Sequence, residues 1–260
     1  MPEGDTVFLT CHRLHAALAG RELTRGEVRH PELAALDLGG REITEVRPAG
    51  KHLLIRFADG HTLHNHLRMD GSWHLYPPSA RWRRPAHQVR AVLGTDDRLA
   101  IGFNLHDLRW LPTREEDRVV GQLGPDLLDP AWDEELAAEA ARRLTADPER
   151  ELGQALLDQT TVAGIGNLYG TEVCFLLGRS PWAPVGEVDA ARAVRLARDL
   201  LERNAWHPEQ STTGTLRRGA QHWVYGRRRC LRCGGPVHRG SQGEGTRARV
   251  THHCPTCQPR

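Results

Sequence analysis

The sequence predicts an α+β multidomain protein: an N-terminal helix with an antiparallel β-sandwich, then a helical domain, then a ribbon organised by four cysteines. Three observations carry this expectation. From about residue 21 to 110, short stretches of branched residues alternate with turn signals. Beyond residue 131, apolar positions recur at helical spacing. Near the end, CLRC and CPTC form two C-x-x-C pairs separated by twenty residues.

The chain opens MPEGDTV. Proline, glutamate and aspartate suit the first turn of a helix, where a missing N–H costs nothing and acids face the positive end of the dipole. A second reading makes Pro2 a nucleophile, exposed as a secondary amine once Met1 is removed. Apolar Val7, Cys11, Leu14 and Leu18 predict a helix over 5–19, stopped at Gly20. REITEV, KHLLIRF and HTLHNHL then read as strands, with Asp59-Gly60 as a turn. QVRAVLG and RLAIGF flank Thr95-Asp96-Asp97, a further hairpin. Residues 111–130, with Pro112, Gly121, Gly124, Pro125 and Pro130, read as a linker. Helices are expected over 131–144, 149–158, 168–177 and 189–203. The middle two are joined by TTVAGIGNLYG, where Gly164, Gly166 and Gly170 allow backbone to approach a ligand closely and the next helix start offers a phosphate site, unless they are simple turn residues. The expected segments are 1–112, linker 113–130, 131–216 and 217–260.

Charge is unevenly spread. From Arg217 to the end there are ten arginines and one acid, Glu244, giving +9; the total of +2 leaves −7 for the first 216 residues. A basic tail suggests a polyanionic partner. Of 35 basic residues only Lys51 is lysine. Arginine replaces lysine freely on a surface, but not where a compact ammonium must point at one atom, so Lys51 is a candidate functional residue. Cys230, Cys233, Cys254 and Cys257 have the spacing of a tetrahedral Zn²⁺ ribbon, one structural ion, which would order an otherwise core-poor segment. Cys11 and Cys174 fall on apolar helix faces and read as core. No apolar run approaches a membrane span and no basic, apolar leader opens the chain, so the expectation is a cytoplasmic protein without membrane association.

Six segments in order, MPEGD, AGKHLLI, HLRMDGSW, AGIGNLYGTE, VYGRRRC and ARVTHHCPTCQ, resemble the formamidopyrimidine-DNA glycosylase/endonuclease VIII family of base-excision repair enzymes. The resemblance implies an N-terminal β-sandwich, a helix–two-turn–helix domain, a zinc ribbon, and damaged double-stranded DNA bound in the cleft between the halves. It implies a bifunctional glycosylase/AP lyase, monomeric and free of organic cofactors, in which the Pro2 amine attacks C1′ of the damaged nucleotide. Glu3 matches the proton-shuttling acid/base, and Lys51 the hairpin lysine that contacts phosphate and ribose and assists base release. Asn167 and Arg249 match phosphate-gripping residues of the interhelical turn and the zinc hairpin. Met69 matches the wedge that fills the hole left by the flipped base. Arg109 is a candidate for facing the orphaned base, and His66 for a further phosphate contact.

Gly4 and the short stretch between TLR (215–217) and VYGR (224–227) resemble the endonuclease VIII branch, whose substrates are oxidised pyrimidines. The alternatives are a formamidopyrimidine-type enzyme acting on 8-oxoguanine, or a non-catalytic binder of damaged DNA. Two departures stand out. The family's second acid falls one place after Asp5, where this chain has Thr6, which bears on δ-elimination; and the loop between the cysteine pairs is longer, with SQGEG at 241–245.

Overall fold

The computed structural model describes residues 2–243, 245 and 248–259. Met1, whose removal the nucleophile reading requires, and Glu244 of the SQGEG stretch lie outside the described residues. Contacts divide the chain into two compact units, one of Pro2 with Thr6–Gln122 and the other of Glu3–Asp5 with Leu123 onward. Among the described residues, no helix is long and apolar enough to cross a membrane.

The first unit holds most of helix α1 (Gly4–Leu18) and the strands β1 (Arg21–Glu22), β2 (Arg25–Val28), β3 (Glu42–Ala49), β4 (His52–Phe57), β5 (His61–His66), β6 (Ser72–Tyr76), β7 (Val89–Gly94), β8 (Leu99–Phe103) and β9 (Asp107–Pro112). They form two antiparallel sheets, ordered β1-β3-β4-β5-β9 and β2-β7-β8-β6. One core joins them: Val7, Cys11, Leu14 and Leu18 of α1 pack with Ile43, Leu53, Ile55 and Leu63 of one sheet and Ala91, Leu93 and Ala100 of the other. This is the expected sandwich, with the helix filling against it.

Side chains alternate along a strand. Leu53, Ile55 and Leu63 therefore face the core, while His52 and His64 are thrown to the opposite face of the sheet. His52 Nδ1 lies 2.8 Å from His64 Nε2, and His66 packs edge-on to His52. Burial pushes His52 and His64 down to about 4 and His66 down to about 3. These folded-state values lie below the unfolded value of about 6.5, so their contribution to stability is complete above that pH and is lost as the pH falls toward the folded values. Between pH 7 and 5 the cost should be about 2 kcal/mol per histidine. Denaturant titrations at the two pH values should show this loss, and a smaller one in His64→Gln; an identical pH dependence in the variant would refute the assignment.

The first part of the expected linker carries regular structure. Residues 113–120 form a 3-10 turn and a short helix, α2 (Asp117–Val120). Glu116 is buried there, accepting from Arg56 Nε at 2.9 Å and from the Thr62 hydroxyl at 2.6 Å, which pins the segment to the sheet. Leu127 is fully buried in the core of the second unit.

That second unit contains helices α3 (Glu134–Leu144), α4 (Leu152–Leu157), α5 (Asn167–Leu177) and α6 (Ala190–Asn204), then strands β10 (His238–Gln242) and β11 (Arg249–His253). The starts of α3 and α6 are N-capped by Asp133 and Asp189, each accepting a backbone N–H at 2.9 Å. Leu152, Leu156, Leu168, Tyr169, Val173, Val194, Leu200 and Leu201 build their shared core. β10 and β11 pair antiparallel.

Candidate active site and metal centre

Glu3 is fully buried, and its carboxylate accepts the backbone N–H of Gly166 at 2.6 Å and of Leu168 at 2.8 Å. Gly166 is the N-cap of α5. Two amides that a helix start leaves without intrahelical partners therefore end on one carboxylate, at the positive end of the helix dipole. Glycine makes the approach possible. Gly4 N–H donates to the Gly164 carbonyl at 2.8 Å, and a Cβ on Gly4 would stand 2.9 Å from Gly164 Cα. Gly164 itself has φ +102°, a conformation that L side chains rarely adopt. The glycine-rich turn thus receives this chain's own N-terminal residues, and two amides of the expected phosphate site are already engaged. Pro2 stands one peptide bond ahead and is half-buried.

Asp5, also buried, accepts from the Tyr169 hydroxyl at 2.7 Å and from Gln210 Nε2 at 2.9 Å. Burial, reinforced by Asp5, pushes the Tyr169 phenol far up, so it remains a donor. Deeper in α5, the fully buried Glu172 accepts from the N–H groups of Trp223 (2.8 Å), Val224 (2.9 Å) and Tyr225 (2.8 Å) and from the Thr212 hydroxyl. Three successive amides turned onto one carboxylate set the path of VYGRRRC.

The ribbon is tied to the same helix. Asn167 Nδ2 donates to the Val250 carbonyl at 2.9 Å, which brings Asn167 beside the strand that carries Arg249. Arg249 is exposed. Gln242 Nε2 donates to Pro181 O (2.8 Å) and to Glu151 (2.9 Å), and Gln258 Nε2 donates to Arg179 O at 2.9 Å. The ligand atoms of Cys230, Cys233, Cys254 and Cys257 all lie within 4.8 Å of one another, with Cys230–Cys257 at 3.9 Å and Cys233–Cys254 at 3.5 Å. A tetrahedral ion with bonds of about 2.3 Å needs sulfurs about 3.8 Å apart. The four thiols are grouped closely enough to hold a metal ion.

In the first unit, Lys51 occupies the two-residue turn between β3 and β4, whose flanking residues Ala49 and His52 pair. Gly50 takes the first turn position with φ +56°, the requirement of a type II′ hairpin. Met69 is 70% exposed in the turn after β5. Arg109 is exposed on β9, 3.5 Å from the Asp107 carboxylate, and His66 lies opposite Asp107 in register.

Residues 1–111 match the model of the formamidopyrimidine-DNA glycosylase N-terminal domain, and residues 123–211 that of the formamidopyrimidine-DNA glycosylase H2TH domain. The chain is 56% identical over 264 residues to the probable endonuclease 8 2 of Streptomyces coelicolor, covering 99% of this chain and 94% of the relative. The chain belongs to the formamidopyrimidine-DNA glycosylase family. Within it, the DNA-(apurinic or apyrimidinic site) lyase Nei2 of Mycolicibacterium smegmatis is 46% identical, with 99% of each chain covered. A solved structure of the Lactococcus lactis family member Fpg, in complex with DNA containing an oxidised pyrimidine, superposes with a TM-score of 0.79 at 23% identity over the full length of both chains.

Sequence reasoning named Glu3, Asn167 and the four cysteines, and the second unit joins them through α5. It missed Glu172 and the Asp5–Tyr169–Gln210 contact. Glu172 had a signal: a carboxylate within TEVCFLL, an otherwise apolar helical run, must be matched by donors or left exposed. Gln210 had none, because its partner is 205 residues away.

Proposed function

We propose that the protein is a bifunctional DNA glycosylase/AP lyase of base-excision repair, acting on oxidised pyrimidines in double-stranded DNA. The observation that carries this reading is the anchoring of Glu3: an N-terminus that would ordinarily fray is held by a buried carboxylate, which fixes the residue before it. The Pro2 nitrogen attacks C1′ and gives its proton to the Glu3 carboxylate as the C1′–N bond to the base breaks, the departing base taking a proton from water; Glu3 then returns the proton to O4′ as the C1′–O4′ bond opens. The resulting iminium draws electrons from C2′. Loss of the C2′ proton expels the 3′ phosphate, and δ-elimination on the 5′ side follows where a second base assists.

Lys51 contributes a compact cation toward phosphate and ribose, while Asn167 and Arg249 hold flanking phosphates. Met69 fills the gap in the stack, with His66 and Arg109 as further DNA contacts. Zn²⁺ holds the ribbon as one structural ion. The protein works as a monomer without an organic cofactor, in the cytoplasm at the nucleoid.

The pyrimidine preference is supported by the compact 218–223 segment. Thr212 N–H and Thr213 N–H both reach the Gln221 carbonyl, and Gly219 N–H donates to Gln221 Oε1 at 2.9 Å. A turn closed on itself this way has no spare length to fold over a purine. Borohydride treatment with an abasic-site duplex should trap a covalent adduct that peptide mapping places on Pro2. An adduct on another residue, or none, overturns the mechanism. Faster excision of 8-oxoguanine than of dihydrouracil overturns the substrate class alone.

A further inference from the structure

The turn that carries Met69 contains an anomaly. Arg68 has φ +55°, the left-handed region that favours glycine. A non-glycine residue stays there only when its surroundings hold it. Two contacts do so. Arg68 N–H donates to His66 Nδ1 at 3.0 Å, which requires a neutral imidazole protonated on Nε2. The Arg68 guanidinium pairs with Asp107 Oδ2 at 2.6 Å, and Asp107 is the cross-strand neighbour of His66. The turn closes through Gly71 N–H on the Leu67 carbonyl at 2.9 Å, so tightly that a Cβ on Gly71 would lie 2.4 Å from that oxygen. Met69 is left projecting at the apex.

We propose that Asp107 and His66 are positioning residues for the Met69 wedge: together they latch Arg68 in its left-handed conformation and so aim Met69 into the DNA stack. The proposal rests on the wedge role given to Met69 above. Without the latch, Arg68 relaxes to negative φ and the backbone entering Met69 turns away. Arg109, 3.5 Å from the other Asp107 oxygen, shares the carboxylate but takes no part in the turn.

The test compares single-turnover excision of dihydrouracil from duplex and from single-stranded DNA, since a single strand leaves no hole opposite a base to be filled. Met69→Ala is expected to lower the duplex-to-single-strand ratio about tenfold. Asp107→Asn should lower it by a similar factor with the single-strand rate retained. Adding Arg68→Gly to Asp107→Asn should restore most of the ratio, because glycine adopts the turn unaided, and Arg68→Gly alone should stay within about twofold of wild type. Rescue at Arg68 also separates the latch from any effect through Arg109. A full ratio in Met69→Ala removes the wedge and the latch with it. Loss in Met69→Ala but not in Asp107→Asn removes the latch alone. Equal loss on both substrates in Asp107→Asn, or no rescue by Arg68→Gly, also overturns it.

Discussion

Glu3→Gln should lower base excision by about a hundredfold or more, while strand cleavage at a pre-formed abasic site stays within about tenfold of wild type. The two reactions differ in what they ask of this side chain. Excision needs a proton taken from the Pro2 nitrogen as the base departs and delivered to O4′ as the sugar opens, and a carboxamide can do neither at neutral pH. At an existing abasic site the sugar already opens unaided, so the Pro2 amine meets an aldehyde. The substitution also has a structural cost that can be read separately. The carboxylate accepts from both Gly166 and Leu168. A carboxamide offers one oxygen, and its NH2 group would confront the other amide. Leaving that buried donor unpaired costs about 1–3 kcal/mol. Single-turnover rates on dihydrouracil and abasic duplexes, with a thermal melt alongside, resolve the two effects. Equal loss of excision and cleavage would show that Glu3 is an anchor without a part in proton transfer. Glu3→Asp, which keeps the charge but shortens the reach, should fall between.

That anchor also shows where the sequence stops being legible. Local pattern found α1, the β3–β5 meander, the β7–β8 hairpin and all four helices of the second unit, because each is specified by residues within a few positions of one another. Glu3 at the first turn of a helix reads locally as a capping acid. It does cap a helix, but the amides belong to α5, 163 residues away for Gly166. The glycines at 164 and 166 announced a close approach without naming what approaches; the answer, Gly4, is a second glycine whose own lack of Cβ is required. Residues 113–120 read as linker because charge dominates them and Pro112 and Gly121 flank them, yet Glu116 is ordered by Arg56 and Thr62 from distant strands. Charged residues in such stretches find their partners only after the sheet has formed. The cysteines are the opposite case. Two C-x-x-C pairs carry their chemistry in the spacing, and the four sulfurs converge as the spacing demands.

Removing the metal should cost the protein its hold on DNA. The ribbon has little else to fold around: its buried cluster is Phe175, Val224, Cys230 and Cys254, so two of the four residues are themselves proposed ligands. Its fastenings to the helices, through Asn167, Gln242 and Gln258, are neutral hydrogen bonds contributing about 1 kcal/mol each, together with the one from Gln242 to the Glu151 carboxylate at about 1.5–3 kcal/mol. Zinc in comparable small modules contributes about 10–16 kcal/mol. With a metal bound at the four cysteines, the hydrogen bonds should persist only while it holds β10 and β11 in place. Cys254→Ser, at a fully buried ligand position, should release the ion, free Asn167 from Val250, and lower duplex binding about a hundredfold as the basic strand is lost. Helical content should change little, because the α3–α6 core is built from other residues. Metal quantification by a colorimetric chelator, circular dichroism and a DNA-binding titration at fixed salt check the three parts. Retained duplex affinity in a metal-free, helical protein would mean that the ribbon is held by its glutamine anchors, and that its arginines need no ion to reach phosphate.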